Sequence, residues 1–258
     1  MITINPEASA DSLKEVCSVY AEAQKPAALT GAGISVGSGI SDFRSPGGLW
    51  SLFDPDEYAG LDVFLRNPEK AWELYRALGS ELKDKIPNVA HRSLAELEQN
   101  GLLHGVVTQN VDNLHQRAGS RMVLEIHGDH QHLQCLQCSE LIPVTDEHYQ
   151  MKTVPLCTSC NYPLKPNVVL FGEAVRSLAE IESLMVDCDL LLVIGTSAQV
   201  YPAAGLPALV KHNGGKIFEF NQEPVLGSDR PGGSSFLSDF FFKGDVLQTL
   251  PLLSRLLL

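Results

Sequence analysis

Apolar residues fall along this chain in two rhythms. Between 12 and 23, Leu13, Val16, Cys17 and Tyr20 recur at i, i+3, i+4 and i+7, the stripe of an amphipathic helix, and Ser12 with Glu15 has capping-box spacing. PAALT (26–30) is instead a short unbroken apolar run, which predicts a buried strand. The helical rhythm returns in NVAHRSLAELEQNG (88–101), with Leu94 and Leu97 facing inward and Gly101 as terminator. Strands are predicted in LLHGVVT (102–108), MVLEI (122–126), VVLF (168–171), DLLLVIG (189–195) and KIFEF (216–220). Helices are predicted from about 175 to 187, in GLPALVKHNG (205–214) and in DVLQTLPLLSRLLL (245–258). Strands alternating with helices make a parallel α/β sheet the expected frame. Two stretches depart from it. Residues 45–87 mix aromatics, prolines and short helical pieces, and read as a helical insertion; 129–165 hold four paired cysteines and read as a small separate module. DRPGGSS (229–235) reads as a flexible loop.

Composition narrows the classes. At 44% hydrophobic and 19% charged, the 258 residues suit an ordinary globular protein with a sizeable core. No apolar run reaches 18 residues, so no membrane span is expected. The opening MITINPEASADSLKE has neither a basic segment nor an apolar one after it, so an intracellular, cytoplasmic protein is expected, with nucleus and organelle left open. A formal charge of −12 without a Lys/Arg run repels phosphate backbones, so no direct nucleic-acid partner is expected; basic peptides remain compatible.

The cysteines carry the sharpest chemical signal. Cys135-x-x-Cys138 and, after 18 intervening residues, Cys157-x-x-Cys160 supply four thiolates, which close a tetrahedron around zinc. A shell filled by protein leaves no position for substrate, so the metal is structural; His130 and His132 are surplus to it. GAGISVG (31–37) follows a strand, as phosphate-cradling loops do, but its third glycine comes one residue later than in G-x-G-x-x-G. By itself the loop is either a nucleotide site or a plain glycine-rich turn. DLLLVIG-TS and KIFEF-Asn221 place further Gly, Ser and Asn at strand ends, where ligands of parallel sheets gather. QNVD (109–112) and His127 end two more strands, and their amides, carboxylate and imidazole could serve a reacting centre. Residue chemistry alone reaches a zinc-stabilised, nucleotide-binding α/β enzyme.

Taken in order, these blocks resemble one family, the sirtuins, NAD-dependent protein-lysine deacylases. The resemblance is carried by GAGIS-x-x-SGI-x-DFR (31–44), GGLW (47–50), TQNVDNLHQRAG (108–119), EIHG (125–128), the paired cysteines, KPNVVLFGE (165–173), GTS-x-x-V-x-PA (195–203) and FEFN. It spans about residues 26–246. It implies a Rossmann-like parallel sheet with helices on both faces (1–44, 88–128 and 166–258), plus a smaller module made of the helical insertion and a four-cysteine zinc ribbon. It also implies NAD as cofactor, bound by a longer glycine loop than that of dehydrogenases. Gly31, Ala32, Gly33, Ile34 and Ser35 would line the dinucleotide with Asp42, Phe43 would cover its nicotinamide end and Arg44 would meet the phosphates. Gln109 and Asn110 would contact the nicotinamide ribose, and Asp112 the carboxamide. Gly195, Thr196 and Ser197 would hold adenosine and phosphate, Asn221 the adenosine ribose and Val246 the adenine edge. His127 would be the general base. Acyl-lysine peptide would lie extended beside Val169, Leu170, Phe171, Gly172 and Glu173, adding a strand by backbone pairing. The implied products are free lysine, nicotinamide and acyl-ADP-ribose; mono-ADP-ribosyl transfer and non-catalytic NAD sensing are the alternative outcomes. The resemblance leaves the oligomeric state open.

Two positions depart from the family pattern. Ser41 stands where proline commonly precedes the aspartate, and loss of that ring is expected to loosen the cofactor loop. Sirtuins that remove succinyl or malonyl groups carry Tyr and, three residues on, Arg; here Tyr75 is present but Leu78 takes the arginine's place. Arg76 points about 100° away on a helix. A carboxylate buried without its cation is costly, so uncharged acyl groups, acetyl or longer, are the expected substrates.

Overall fold

The computed structural model describes residues 1–5, 8–42, 47–230 and 233–258. Its strands in chain order are β1 (Ile2–Ile4), β2 (Pro26–Thr30), β3 (Val106–Thr108), β4 (Val123–Glu125), β5 (Gly128–Cys135), β6 (Leu141–Pro143), β7 (Leu164–Val168) and β8 (Leu190–Ile194). β9 (Lys216–Asn221), β10 (Gly227–Arg230), β11 (Gly233–Phe236) and β12 (Phe240–Lys243) follow. The helices are α1 (Ala10–Glu22), α2 (Leu49–Leu52), α3 (Pro55–Tyr58), α4 (Leu61–Arg66), α5 (Pro68–Leu82) and α6 (Val89–Gln99). After them come α7 (Leu114–Ala118), α8 (Asp146–Gln150), α9 (Leu178–Val186), α10 (Leu206–His212) and α11 (Val246–Leu257).

Seven strands form one sheet in the order β1-β12-β9-β8-β2-β3-β4, every pair parallel. Strands buried on both faces need apolar residues at odd and even positions alike. Ala28, Leu190, Leu192 and Ile194 point to one side, where Val16 and Tyr20 of α1, Leu94 and Leu97 of α6, and Leu250 and Leu253 of α11 meet them. Ala27, Leu29, Leu191 and Val193 point to the other, against Ile181 and Met185 of α9 and Val210 of α10. The chain winds outward from β2 through β3 and β4 in one direction, and from β8 through β9 and β12 in the other. β2 and β8 are neighbours, with Thr30 opposite Ile194, so the order reverses between them. At such a switch point the connections leave in opposite directions and open a crevice beyond the strand ends.

A separate core joins the helical insertion to the cysteine module. Phe64, Trp72 and Tyr75 pack with Leu133, Cys135, Cys157 and Leu164. Trp72 Nε1 donates to Leu164 O at 2.8 Å, and Arg76 reaches the carbonyls of Met151 and Thr153. The module carries its own antiparallel sheet, β6-β5-β7.

The structure differs from the sequence expectations at several ends. α1 begins at Ala10, capped by Ser9, whose Oγ accepts from Ser12 N at 3.2 Å, so Ser12 lies inside the helix instead of capping it. The stretch 102–108 is extended as a strand only over Val106–Thr108. β1 and β12 were not expected; each is short and takes its apolar partners from the sheet. β10 and β11 pair as an antiparallel hairpin across most of the expected loop, and residues 231–232 lie outside the described residues. Among the described residues, no helix is long and apolar enough to cross a membrane.

Candidate active site

Three glycines close the switch point. A Cβ on Gly33 would stand 2.7 Å from Gly195 Cα, and one on Gly195 would stand 2.6 Å from Ile34 N. No side chain fits between these strand ends, so the backbones of the two loops touch. Gly33 N donates to Gly195 O at 2.8 Å, and Gly31 N to Ile194 O at 3.0 Å. Gly195 also has φ +56°, a conformation other residues adopt at a cost. The late Gly37 has a packing reason: a Cβ there would meet the Leu247 side chain at 2.5 Å.

Above this floor opens a cavity of about 770 Å³, large enough for a dinucleotide. Gly31, Ala32, Gly33, Asp42, Gln109, Asn110 and His127 line it, as do Gly195, Thr196, Ser197, Asn221 and Val246. Tyr75 and Val169, Leu170, Phe171, Gly172 and Glu173 line the same space. A second cavity of about 140 Å³ adjoins it, walled by Ser35, Asn110 and Asp112. The structure thus brings together the described residues assigned to cofactor, catalysis and substrate, with one exception. The Ile34 side chain is fully buried in the core beneath the loop and faces neither cavity. Phe43 and Arg44 lie outside the described residues.

Hydrogen bonds fix the reactive groups. His127 Nδ1 lies 3.0 Å from Gln109 O. A carbonyl only accepts, so Nδ1 carries the proton and Nε2 of the neutral ring keeps its lone pair. Burial holds the His127 pKa below the usual imidazole value, against the bond to Gln109, which raises it. Ser35 Oγ donates to Asp112 Oδ2 at 2.6 Å, and Leu114 N donates to Asp112 Oδ1 at 2.9 Å. Asn110 Nδ2 donates to both Gly31 O and Ser35 Oγ at 3.1 Å. Burial pushes the Asp112 pKa up, and the bonds from Ser35 and Leu114 oppose it. Gln109 Nε2 donates to Thr196 Oγ1 at 2.9 Å, tying β3's end to that of β8.

The Val168–Glu173 wall has an ionic foundation that the sequence did not reveal. Lys165, fully buried, donates from Nζ to Val168 O at 2.6 Å and Pro166 O at 3.2 Å, and pairs with Glu173 Oε2 at 3.0 Å. Leu170 N donates to the same Glu173 oxygen. Burial lowers the Lys165 pKa, and the Glu173 charge opposes that. Glu173 therefore turns its carboxylate toward the wall's interior. Val169 N donates to His127 O, which joins this wall to the imidazole's own backbone. Phe171 exchanges two main-chain bonds with Ala59 and Leu61, and Gly172 follows at φ +95°. The Gly172 N–H and C=O take no partner among the described residues.

Other supports had no role read from the sequence. Thr30 Oγ1 donates to Thr108 Oγ1 and faces His115 Nε2 at 2.9 Å, and the His91 ring lies 4.9 Å from that of His115. Only the placement of His91 three residues before Leu94, on the buried stripe of α6, could have drawn attention to it.

The four cysteine sulfurs lie within 4.8 Å of one another. Three of their separations are 3.4, 3.5 and 3.6 Å. Zinc–sulfur bonds of about 2.3 Å set tetrahedral edges near 3.8 Å, so the donor set fits the ion. The two knuckles repeat one geometry. Ser139 N donates to Cys135 O and Asn161 N to Cys157 O, with Ser139 and Asn161 both at φ near +60° (63° and 59°). His130 stacks on Tyr149 and His132 pairs with Asp129, so both stand apart from the sulfurs.

A parallel sheet with glycines locked at its switch point, an imidazole over a dinucleotide-sized cavity and a four-thiolate knuckle pair define a class of zinc-bearing nucleotide-dependent enzymes. Comparison with known proteins makes the class definite: residues 31–202 match the model of the Sir2 family, and the chain belongs to it. It is 43% identical over 224 residues to NAD-dependent protein deacylase 2 of Archaeoglobus fulgidus, covering 84% of this chain and 87% of that one. It is 40% identical over 245 residues to the NAD-dependent protein deacylase of Pyrococcus furiosus, covering 93% and 95%. Among solved structures, a Sir2 homologue in complex with NAD superposes with a TM-score of 0.84 at 37% identity, covering 94% of this chain and 92% of that one. A Sir2–p53 peptide–NAD complex does so at 0.81 and 34%, covering 94% and 97%.

Proposed function

We infer that this protein removes acetyl or other uncharged acyl groups from protein lysine side chains, consuming NAD and releasing nicotinamide and O-acyl-ADP-ribose. The observation that carries this reading is His127: its Nδ1 is committed to Gln109 O and its ring lines the cavity shared by the glycine loop and the Val169–Gly172 wall. Bound NAD supplies a ribosyl carbon bearing nicotinamide as leaving group. Gly31, Gly33 and Gly195 line the cavity floor, where its diphosphate would lie against backbone, with Thr196 and Ser197 beside it and Asn221 and Val246 toward the adenosine. Asn110 and Asp112 meet in the smaller cavity, where a carboxamide can be held by an amide and a carboxylate. Nε2 of His127 accepts a ribose-hydroxyl proton; its lowered pKa keeps it unprotonated at neutral pH. The acyl-lysine peptide enters as an added strand, and the unpartnered Gly172 backbone supports that mode.

Leu74, Tyr75 and Leu78 of α5 line the cavity's far side. The Tyr75 hydroxyl is buried without a partner among the described residues, and no arginine accompanies it on that face. A carboxylate there would lose its hydration for one neutral donor, which supports the preference for uncharged acyl groups. The zinc fits as a structural ion held by Cys135, Cys138, Cys157 and Cys160, and such thiolates belong in a reducing, intracellular compartment, for which we propose the cytoplasm.

Incubation with NAD and acetyl-, longer acyl- and succinyl-lysine peptides, with products weighed by mass spectrometry, tests the assignment. Acyl-ADP-ribose and faster turnover of the uncharged peptides are expected, and His127→Tyr should abolish both. ADP-ribose left on protein would reassign the enzyme to transfer, and faster desuccinylation would overturn the acyl preference.

A further inference from the structure

The segment from Ile34 to Asp42 is gripped by three side chains from one short stretch. Asn88 Nδ2 donates to Ile34 O at 2.7 Å and to Ser38 Oγ at 3.0 Å. Lys85 Nζ donates to Gly39 O. Glu81 Oε1 accepts from Ser41 N at 2.8 Å. The last bond exists only because position 41 is not proline, which has no N–H to give. The loosening expected from Ser41 is opposed by a contact: where a proline would offer a stiff ring, this amide makes a solvent-exposed hydrogen bond to a carboxylate.

Glu81 sits in the last turn of α5, three residues beyond Leu78 and six beyond Tyr75, on the helix face that reaches the site. Together with Ile40, Ser41 and Leu78 it walls the smaller cavity opposite Ser35, Asn110 and Asp112. Asp42, next to the tethered amide, lines the larger cavity. α5 itself is held firmly: Trp72 is bonded to Leu164, and Gly79 abuts the Tyr149 ring so closely that a Cβ would lie 2.7 Å from it. The helix that forms the acyl side of the cleft is thus a fixed post to which the glycine loop is tied.

Resting on the NAD-dependent reading above, we propose that Glu81 is a positioning residue that latches the cofactor loop through the Ser41 amide and so sets affinity for NAD. It acts through the main chain of the loop and touches no reacting atom. Its effect is on the cofactor, and the peptide wall built on Lys165 lies outside its reach.

The test is calorimetric binding of NAD to the zinc-loaded full chain, with separate KM values for NAD and peptide. Glu81→Ala should weaken NAD binding by about 3- to 10-fold. Glu81→Gln, which keeps an oxygen acceptor, should recover part of the loss, and Ser41→Ala, which keeps the amide, should bind as the native chain does. In a Ser41→Pro background the donor is gone, so adding Glu81→Ala should change the Kd by less than about twofold. Peptide KM should stay constant throughout. Native NAD affinity in Glu81→Ala, or an equal loss in the serine and proline backgrounds, overturns the latch. If Ser41→Pro does not fold, a Ser41→Ala loss equal to that of Glu81→Ala overturns it as well, by assigning the effect to the hydroxyl. A native chain that binds no NAD refutes the functional reading instead, which keeps the two failures apart.

Discussion

Replacing Lys165 by methionine removes a charge from the most enclosed ion pair of the site. The Lys165 side chain is 0% exposed and that of Glu173 12%, and Nζ serves three acceptors: Glu173 Oε2, Val168 O and Pro166 O. Methionine matches the aliphatic stem, so little packing is lost, but among the described residues Glu173 keeps only the Leu170 amide as a hydrogen-bond partner. Breaking a buried pair by removing one member costs about 3–5 kcal/mol, because the remaining charge stays desolvated. For a chain of this size that is a fall in melting temperature of roughly 6–20 °C. Glu173→Gln should cost less, since the amide oxygen can still accept from the ammonium. The double variant, with neither charge, should be more stable than Lys165→Met alone. Thermal unfolding at pH 7 with zinc present measures all three. The wall from Val168 to Gly172 should also lose its register, raising peptide KM while NAD affinity holds. A fall below about 1 kcal/mol in Lys165→Met would refute the reasoning, since it would mean that water reaches the pair.

Other consequences are open to simple measurements. Gly33→Ala forces a Cβ to 2.7 Å from Gly195 Cα and should part the β2 and β8 ends, abolishing NAD binding by calorimetry; native affinity would disprove the close approach. Burial holds His91 at about 4, His115 at about 3 and His130 at about 4. Unfolding frees each to its ordinary pKa near 6.5, so between these values each of the three binds a proton more readily in the unfolded chain than in the folded one. The stability these groups contribute should therefore be fullest above pH 6.5 and fall on acidification, by up to about 1.4 kcal/mol per pH unit for each histidine; a melting temperature unchanged from pH 7 to 5 would contradict this. Stripping zinc with a chelator should disorder the core shared with α5 and shift Trp72 emission to the red, since that indole packs against Leu133 and Cys135. Unchanged emission after complete removal of the metal would separate the two.

What could be read from the sequence followed from local physics. β2 and β8 were legible because five consecutive buried positions write an unbroken apolar run. The cysteine pairs were legible because knuckle spacing is a property of the chain itself. β1 and β12 were not, since three- and four-residue strands depend on their neighbours for definition. The catalytic candidates came from motif order, whereas the role of Lys165, though it opens one of the blocks, and Glu81 altogether were invisible to it. A lysine among apolar residues carries no mark of the carbonyls that will surround it. An amide at position 41 acquires meaning only when a carboxylate forty residues away is brought beside it.

The imidazole at 127 is oriented by a peptide oxygen, and this places it under a different inheritance from its neighbours. Any amino acid at position 109 would present the same carbonyl. Side chains around the cleft can therefore drift toward new acyl groups or new protein targets while the ring keeps its place in the cavity wall. A lineage of such enzymes could diversify its diet without relearning its chemistry.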